Sequence, residues 1–305
     1  MPHNELEALA LRWAPGGGPV QVQPMVRGLV NESFLVMRDG RRYVMRVATD
    51  TSPDFGQDRE WECRVLACAA KAGLAPNIER CEVRAGILIS DWVECRAWTP
   101  EELALPDNVE AMAQLLRRVH ALPVPQPARV MNPAAWIRHY AAALVQQGPE
   151  SSRRSQALRG SADLRLAQLA GAVPAAAGLC HSDLHRFNVA VGLGSPEQLL
   201  LLDWEYAHVA DPYWDLAGWA ANNDWTSAMA TGWLATYLGR PTLPEEAGRL
   251  SLWMWLYDYV CLLWSELYLK KAPDAATRGV EDRRDTLCAR LASEPGSRAG
   301  EVPAH

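Results

Sequence analysis

Alternating apolar and polar positions dominate the first hundred residues. The stretches VQVQPMVRG, SFLVMRDGRRYVMRV and GILISDWV carry the period-two pattern and the β-branched side chains of strands. Asp39-Gly40, inside RDGRR, predicts a tight hairpin turn between two of them. In DREWECRVLACAAKAGLAP the period lengthens. Glu62, Val65, Leu66, Ala69 and Ala70 fall on one helical face, and Gly73 with Pro76 marks the stop. Past ECRAWTPEEL the texture becomes helical. DNVEAMAQLLRRVHAL is an amphipathic helix with Asp107 as its expected N-cap. A Pro-rich loop follows, then helical patterns over 133–147 and 153–171, an apolar strand over 198–203, and helices to about residue 292. The expected fold is α+β. A small antiparallel β-rich lobe spans 1–95, a larger and mostly helical lobe spans 96–292, and 293–305 is a loose tail.

Composition narrows the function. Of 305 residues 49% are apolar, enough for a large core, and the net charge is -6. An acidic chain lacks the basic face of a nucleic-acid partner. LWMWLYDYVCLLW is short and broken by Asp258, so no membrane span is expected. The N-terminus, MPHNELEALALRW, has no basic-then-apolar leader. The seven cysteines show no CxxC spacing, and the expectation is buried free thiols in a reducing cytoplasm. The oligomeric state is left open.

Against this background LCHSDLHRFNVAV stands out. It sets His181, Asp183 and Asn188 between apolar flanks, and LLLLDWEYA soon ends an apolar run in Asp203 and Glu205. Short polar residues also make turns and helix caps, and one such loop alone would favour that reading. Two together, in a helical lobe that follows a β-lobe, ask for more. Carboxylate and amide oxygens suit Mg²⁺. Phosphoryl transfer needs metal ligands near an acid that orients the incoming hydroxyl. Asp183 is the candidate base, Asn188 and Asp203 are the candidate metal ligands, and His181 is expected to pin the loop.

HSDLHRFN followed by LLDWEYA resembles the catalytic and metal-binding loops of the aminoglycoside phosphotransferase and choline kinase superfamily. The resemblance runs over about residues 25–270 and implies a protein-kinase-like two-lobed fold using ATP and Mg²⁺. It implies that Gly28, Asn31 and Ser33, in RGLVNESFLV, approach a nucleotide. It puts Arg46 where most kinases carry a lysine, a forked cation on the α/β-phosphates. The acid paired with Arg46 would be Glu62, which shares the apolar face, with Glu60 as the alternative; the competing reading of either is a solvated helix charge. Asp91, Trp92 and Val93 would meet adenine, and Asp215, in DPYWDLAGW, would brace the catalytic loop.

The acceptor is less defined. DWEYA, Arg46 and GLVNESF look more like choline and thiamine kinases than like antibiotic kinases. Thirteen tryptophans against three phenylalanines suit a permanent cation, which aromatic faces hold. The resemblance to choline kinases, which set an acid-Trp pair and a late Trp-Ser near the ammonium, implies Asp224, Trp225 and Trp264 as the cage, with Glu205 on the substrate side. Aromatics at helical spacing are more often core. The expected activity is phosphorylation of a primary hydroxyl on a small, cationic alcohol, choline first and thiamine second. The rivals are an aminoglycoside or other small-molecule kinase and a nucleotide-binding pseudokinase scaffold.

Overall fold

The expected hairpin forms around a pair of residues with left-handed backbone, Asp39 (φ 50°) and Gly40 (φ 75°). That geometry matches the twist of the flanking strands. In the computed structural model, which describes residues 3–25, 30–49, 52–148, 152–171, 176–193, 199–271 and 277–293, these strands are part of a five-stranded antiparallel sheet. It contains β1 (Val20–Pro24), β2 (Asn31–Arg38), β3 (Arg41–Ala48), β4 (Ile78–Glu82) and β5 (Ile87–Asp91), in the order β1-β2-β3-β5-β4. Inward positions of β2, β3 and β5, among them Phe34, Val36, Tyr43, Met45 and Ile89, form one apolar cluster. α1 (His3–Trp13) covers it with Leu6 and Ala10. Neither α1 nor β4 is among the elements expected from sequence. β4 reads IERCE, half-exposed along its length, and has no period to read; α1 does have one, with Leu6, Leu9, Ala10 and Trp13 on one helical face.

α2 (Arg59–Lys71) begins at Asp58, whose side chain accepts from the Trp61 N–H at 3.1 Å. It buries Trp61, Glu62, Val65, Leu66 and Ala69. Gly73, with φ 68°, ends it. β4 brings Cys81 to α2, and Cys63 and Cys81 form a disulfide across a Cα separation of 6.3 Å. This corrects the expectation of free thiols for that pair; the strand that joins them carries no sequence signal. The other five cysteines are free, and of these Cys180 is buried while the rest are half-buried.

The chain divides into two units. One comprises Met1–Trp98, Leu122–Pro127 and Phe187–Ala207, so it includes a second sheet of β6 (Cys95–Arg96), β8 (Val189–Gly192) and β9 (Leu199–Leu201). The other comprises Thr99–Ala121, Ala128–Arg186 and His208–His305. It holds the paired strands β7 (Gly178–Cys180) and β10 (His208–Ala210) and the helices α3 (Pro106–His120), α4 (Pro133–Gln146), α5 (Arg153–Ala157), α6 (Arg159–Ala170), α7 (Tyr213–Asn222), α8 (Ser227–Leu238), α9 (Pro244–Lys271) and α10 (Arg278–Ala292).

α3 starts two residues earlier than its pattern suggests. Pro106 occupies the first helical position, so Leu105 is the N-cap and Asp107 sits inside the first turn. The second unit has an aromatic core in which Trp225 stands edge-on to Trp219 and Trp233. Trp214 packs against Trp253 and Tyr257. Gly218 permits this closeness: a Cβ there would lie 2.7 Å from the Tyr257 ring. Among the described residues no helix is long and apolar enough to cross a membrane. Of the stretch expected as a tail, Ser293 caps α10 and 294–305 lie outside the described residues.

Candidate active site

The loop that leaves β7 is fixed from below. The Asp215 carboxylate, fully buried in the first turn of α7, accepts from the His181 and Ser182 backbone N–H groups, each at 2.8 Å. His120 Nε2 lies 3.0 Å from the same carboxylate, and its Nδ1 lies 2.8 Å from the Tyr237 hydroxyl. His181 is buried, and its Nδ1 accepts from the Asp183 N–H at 3.4 Å. The brace holds a costly conformation. Ser182 has φ 69°, a left-handed backbone that costs a non-glycine residue of order 1–3 kcal/mol. Asp183 is about a third exposed, with His185 Nε2 3.8 Å from its carboxylate. Asp215→Ala leaves two buried N–H donors without an acceptor, at roughly 1–3 kcal/mol each. Chemical denaturation should show a loss of that order, and Asp215→Asn, which keeps one acceptor oxygen, should lose less. An Asp215→Ala midpoint equal to wild type would show that the brace is not needed.

In the first unit, β8 and β9 set two candidate ligands side by side. Val189 pairs with Leu201, and the Leu202 N–H donates to the Asn188 carbonyl at 2.9 Å. Asn188 and Asp203 therefore flank the same end of one antiparallel pair. Asp203 also has a left-handed backbone, φ 63°, and its carboxylate is 39% exposed.

Arg46 joins three acids. Its guanidinium reaches Glu62 at 2.7 Å, Asp203 at 2.6 Å, and Glu205. Of the two candidate acids on α2, Glu62 is the one that meets Arg46. Arg59 also pairs with Glu62, and Glu205 accepts from Asn31, Gln57 and Arg46. Burial pushes the Glu205 carboxyl well above the usual range; the Asp203 charge adds to this and the Arg46 charge opposes it. Burial works against the charge on Arg46, but Asp203, Glu62 and Glu205 more than offset it and hold the guanidinium firmly protonated. Burial lowers Arg59.

Other nominated residues lie as follows. Ser33 pairs with Arg46 across the β2/β3 ladder. Gly28 lies outside the described residues. Asp91 ends β5 and pairs with Arg41; the Trp92 N–H donates to the Arg42 carbonyl at 3.2 Å; Val93 follows outside any strand. In the second unit, Asp224 forms an ion pair with Arg290 at 2.6 Å. Trp225 is in the tryptophan core, and Trp264 stacks on Tyr268, 5.2 Å between ring centroids. Gln57, Arg59, His120 and Asn222 have no part in the sequence reading. Each is a single polar residue in a loop or at a helix end, without a motif around it.

A metal ion fits the exposed edge of the acidic group. The oxygens of Glu62, Asp203 and Glu205 lie within 4.8 Å of one another, a hard donor set. Arg46 pairs with all three, but Glu62 and Glu205 are buried, which leaves Asp203 as the exposed carboxylate of the group.

The model of the phosphotransferase enzyme family matches residues 21–253. The chain belongs to this family. Solved structures agree on the fold. A choline/ethanolamine kinase family protein from Mesorhizobium loti has a TM-score of 0.70 at 22% identity, over 95% of each chain. The choline kinase LicA from Streptococcus pneumoniae has a TM-score of 0.72 at 20% identity, over 95% of this chain and 98% of that one. A macrolide 2'-phosphotransferase type I reaches 0.61 at 20%, over 95% and 96%. No curated protein matches the chain. The protein-kinase-like α+β fold expected from the paired motifs is thus the fold of this phosphotransferase.

Proposed function

We propose that this phosphotransferase moves the γ-phosphoryl group of ATP to a primary hydroxyl of a small molecule. The observation that carries the reading is the β8/β9 pairing, which brings Asn188 and Asp203 together beside Arg46. Asn188 and Asp203 are the residues to hold Mg²⁺, which when bound supplies neutralising charge to the transferring phosphoryl. Asp183 orients the acceptor hydroxyl and takes its proton. Arg46 offers a planar fork of donors to the α/β-phosphates, while Glu62 and Glu205 fix its direction. Asn31 and Ser33 approach the phosphates, and the backbone of 91–93 meets adenine; a LicA structure in complex with AMP has this fold. Most of the acceleration is positioning and electrostatics.

Within that class, the fold likeness to choline and ethanolamine kinases favours a short alcohol over an aminoglycoside or thiamine. The nominated cation cage offers weaker support, since Asp224 is engaged by Arg290 and Trp225 by other tryptophans. The test is ADP release by purified protein with Mg·ATP against choline, ethanolamine, thiamine, aminoglycosides and sugars. Acceptor-dependent ADP release is expected. Protection by Mg·ATP without turnover on any alcohol would favour a nucleotide-binding scaffold.

A further inference from the structure

A hydrogen-bond relay starting one residue from Asp183 ends at a cation that has no carboxylate at ion-pair distance among the described residues. Arg283 on α10 donates through Nη2 to Asn222 Oδ1 at 2.5 Å. The Asn222 amide donates to the Leu184 carbonyl at 2.7 Å and to the Tyr257 hydroxyl at 2.9 Å. Leu184 follows Asp183 directly, so one side chain links the backbone next to the candidate base to the guanidinium. The charges of Asp183 and Arg283 both bear on Tyr257 and Cys261, one turn apart on α9. Both of those groups are neutral: burial pushes the Tyr257 phenol well above its ordinary value and the Cys261 thiol up to about 12.

Arg290, two turns along α10, behaves differently. It is paired with the buried Asp258 and with Asp224. Arg283 is half-buried, its one hydrogen-bond acceptor is a neutral amide, and it has no carboxylate at ion-pair distance among the described residues. The acids beside it on its own helix, Glu281 and Asp282, are exposed. A guanidinium removed from water seeks an anion, and its planar fork matches a carboxylate.

Resting on the kinase reading above, we propose that Arg283 determines acceptor specificity by receiving a carboxylate, so that the substrate is a small hydroxy acid and not a simple cationic alcohol. The single intervening residue, Asn222, keeps the hydroxyl and carboxylate positions close, which suits a short acceptor. Asp258 is buried against Arg290, and the same guanidinium pairs with Asp224.

The test uses the full chain with Mg·ATP and matched acceptors: L-serine, L-homoserine and glycerate, each beside its carboxamide, with choline and ethanolamine. For at least one hydroxy acid, kcat/KM should exceed that of its own amide roughly ten- to hundredfold, the reach of one charge-assisted pair. That preference should collapse in Arg283→Met and partly return in Arg283→Lys. The same acid should raise the melting temperature of wild type and not of Arg283→Met, a readout that does not depend on turnover. Preference for choline or ethanolamine over every hydroxy acid would overturn this inference and leave the kinase reading standing, as would an acid-over-amide preference that survives in Arg283→Met. Silence from every acceptor would overturn both.

Discussion

Asp183→Asn should lower turnover by about 10²–10⁴, the usual contribution of a positioned general base. The substitution keeps size and removes both a charge and the proton acceptor. It should leave the fold intact, because the side chain is about a third exposed and the loop is held by backbone contacts to Asp215. In the proposed reading nucleotide binding rests on Arg46 and the Asn188–Asp203 pair, so it should persist. Mg·ATP should therefore still raise the melting temperature of the variant while ADP release falls. Turnover near that of wild type would remove Asp183 from the role of base. Loss of the Mg·ATP shift together with turnover would point instead to a collapsed loop.

The parts of this fold that were legible in the sequence are those where period and side-chain chemistry agree. The β2/β3 hairpin has strict alternation and an Asp-Gly turn, and α2 has an apolar face and a glycine stop. The paired polar motifs were legible because so many short polar side chains are hard to justify between apolar flanks. What was hidden depends on tertiary partners. β4 is half-exposed, so its pattern does not alternate, and the Cys63–Cys81 disulfide was hidden with it. β7, β8 and β10 have only three or four residues each, below the length at which a period can be read, whereas β9 (Leu199–Leu201) lies within the apolar run over 198–203 that was expected as a strand. At the site, Arg46 was legible as a cation expected to face one acid. That it faces three follows from β9 delivering Asp203 and Glu205 to it, a long-range fact. The tryptophans show the opposite limit. A ring in a helix reads the same whether it lines a pocket or a core, and Trp225 is core because two other tryptophans surround it. Arg283 and Arg290 are seven residues apart in one helix and look alike in sequence. Only the placement of Asp224 and Asp258 separates them.

Asp203→Ala should abolish most of the stabilisation that Mg·ATP confers. A ligand bound only to the folded state stabilises by RT ln(1 + [L]/Kd), about 2.7 kcal/mol at a hundred times Kd. Asp203 is the accessible carboxylate of the acidic group, so its removal weakens metal binding directly, and the hundredfold excess shrinks toward none. Without ligand the variant should stay folded. Arg46 keeps Glu62 and Glu205 as partners; alanine tolerates the left-handed backbone at position 203 less well than aspartate, so a modest loss of ligand-free stability, about 1 kcal/mol, is expected beside it. The loss should be specific to the metal. Arg46 is then released from one of its three acids, so a metal-free nucleotide gains a less encumbered cation even as the Mg·ATP complex loses its anchor. Thermal scans with ATP and EDTA, beside scans with Mg·ATP, separate the two terms. Wild type should show the larger shift with Mg·ATP, and Asp203→Ala should show nearly equal, small shifts under both conditions. A full Mg·ATP shift in the variant would assign the metal to other residues and leave Asp203 as a counter-ion of Arg46.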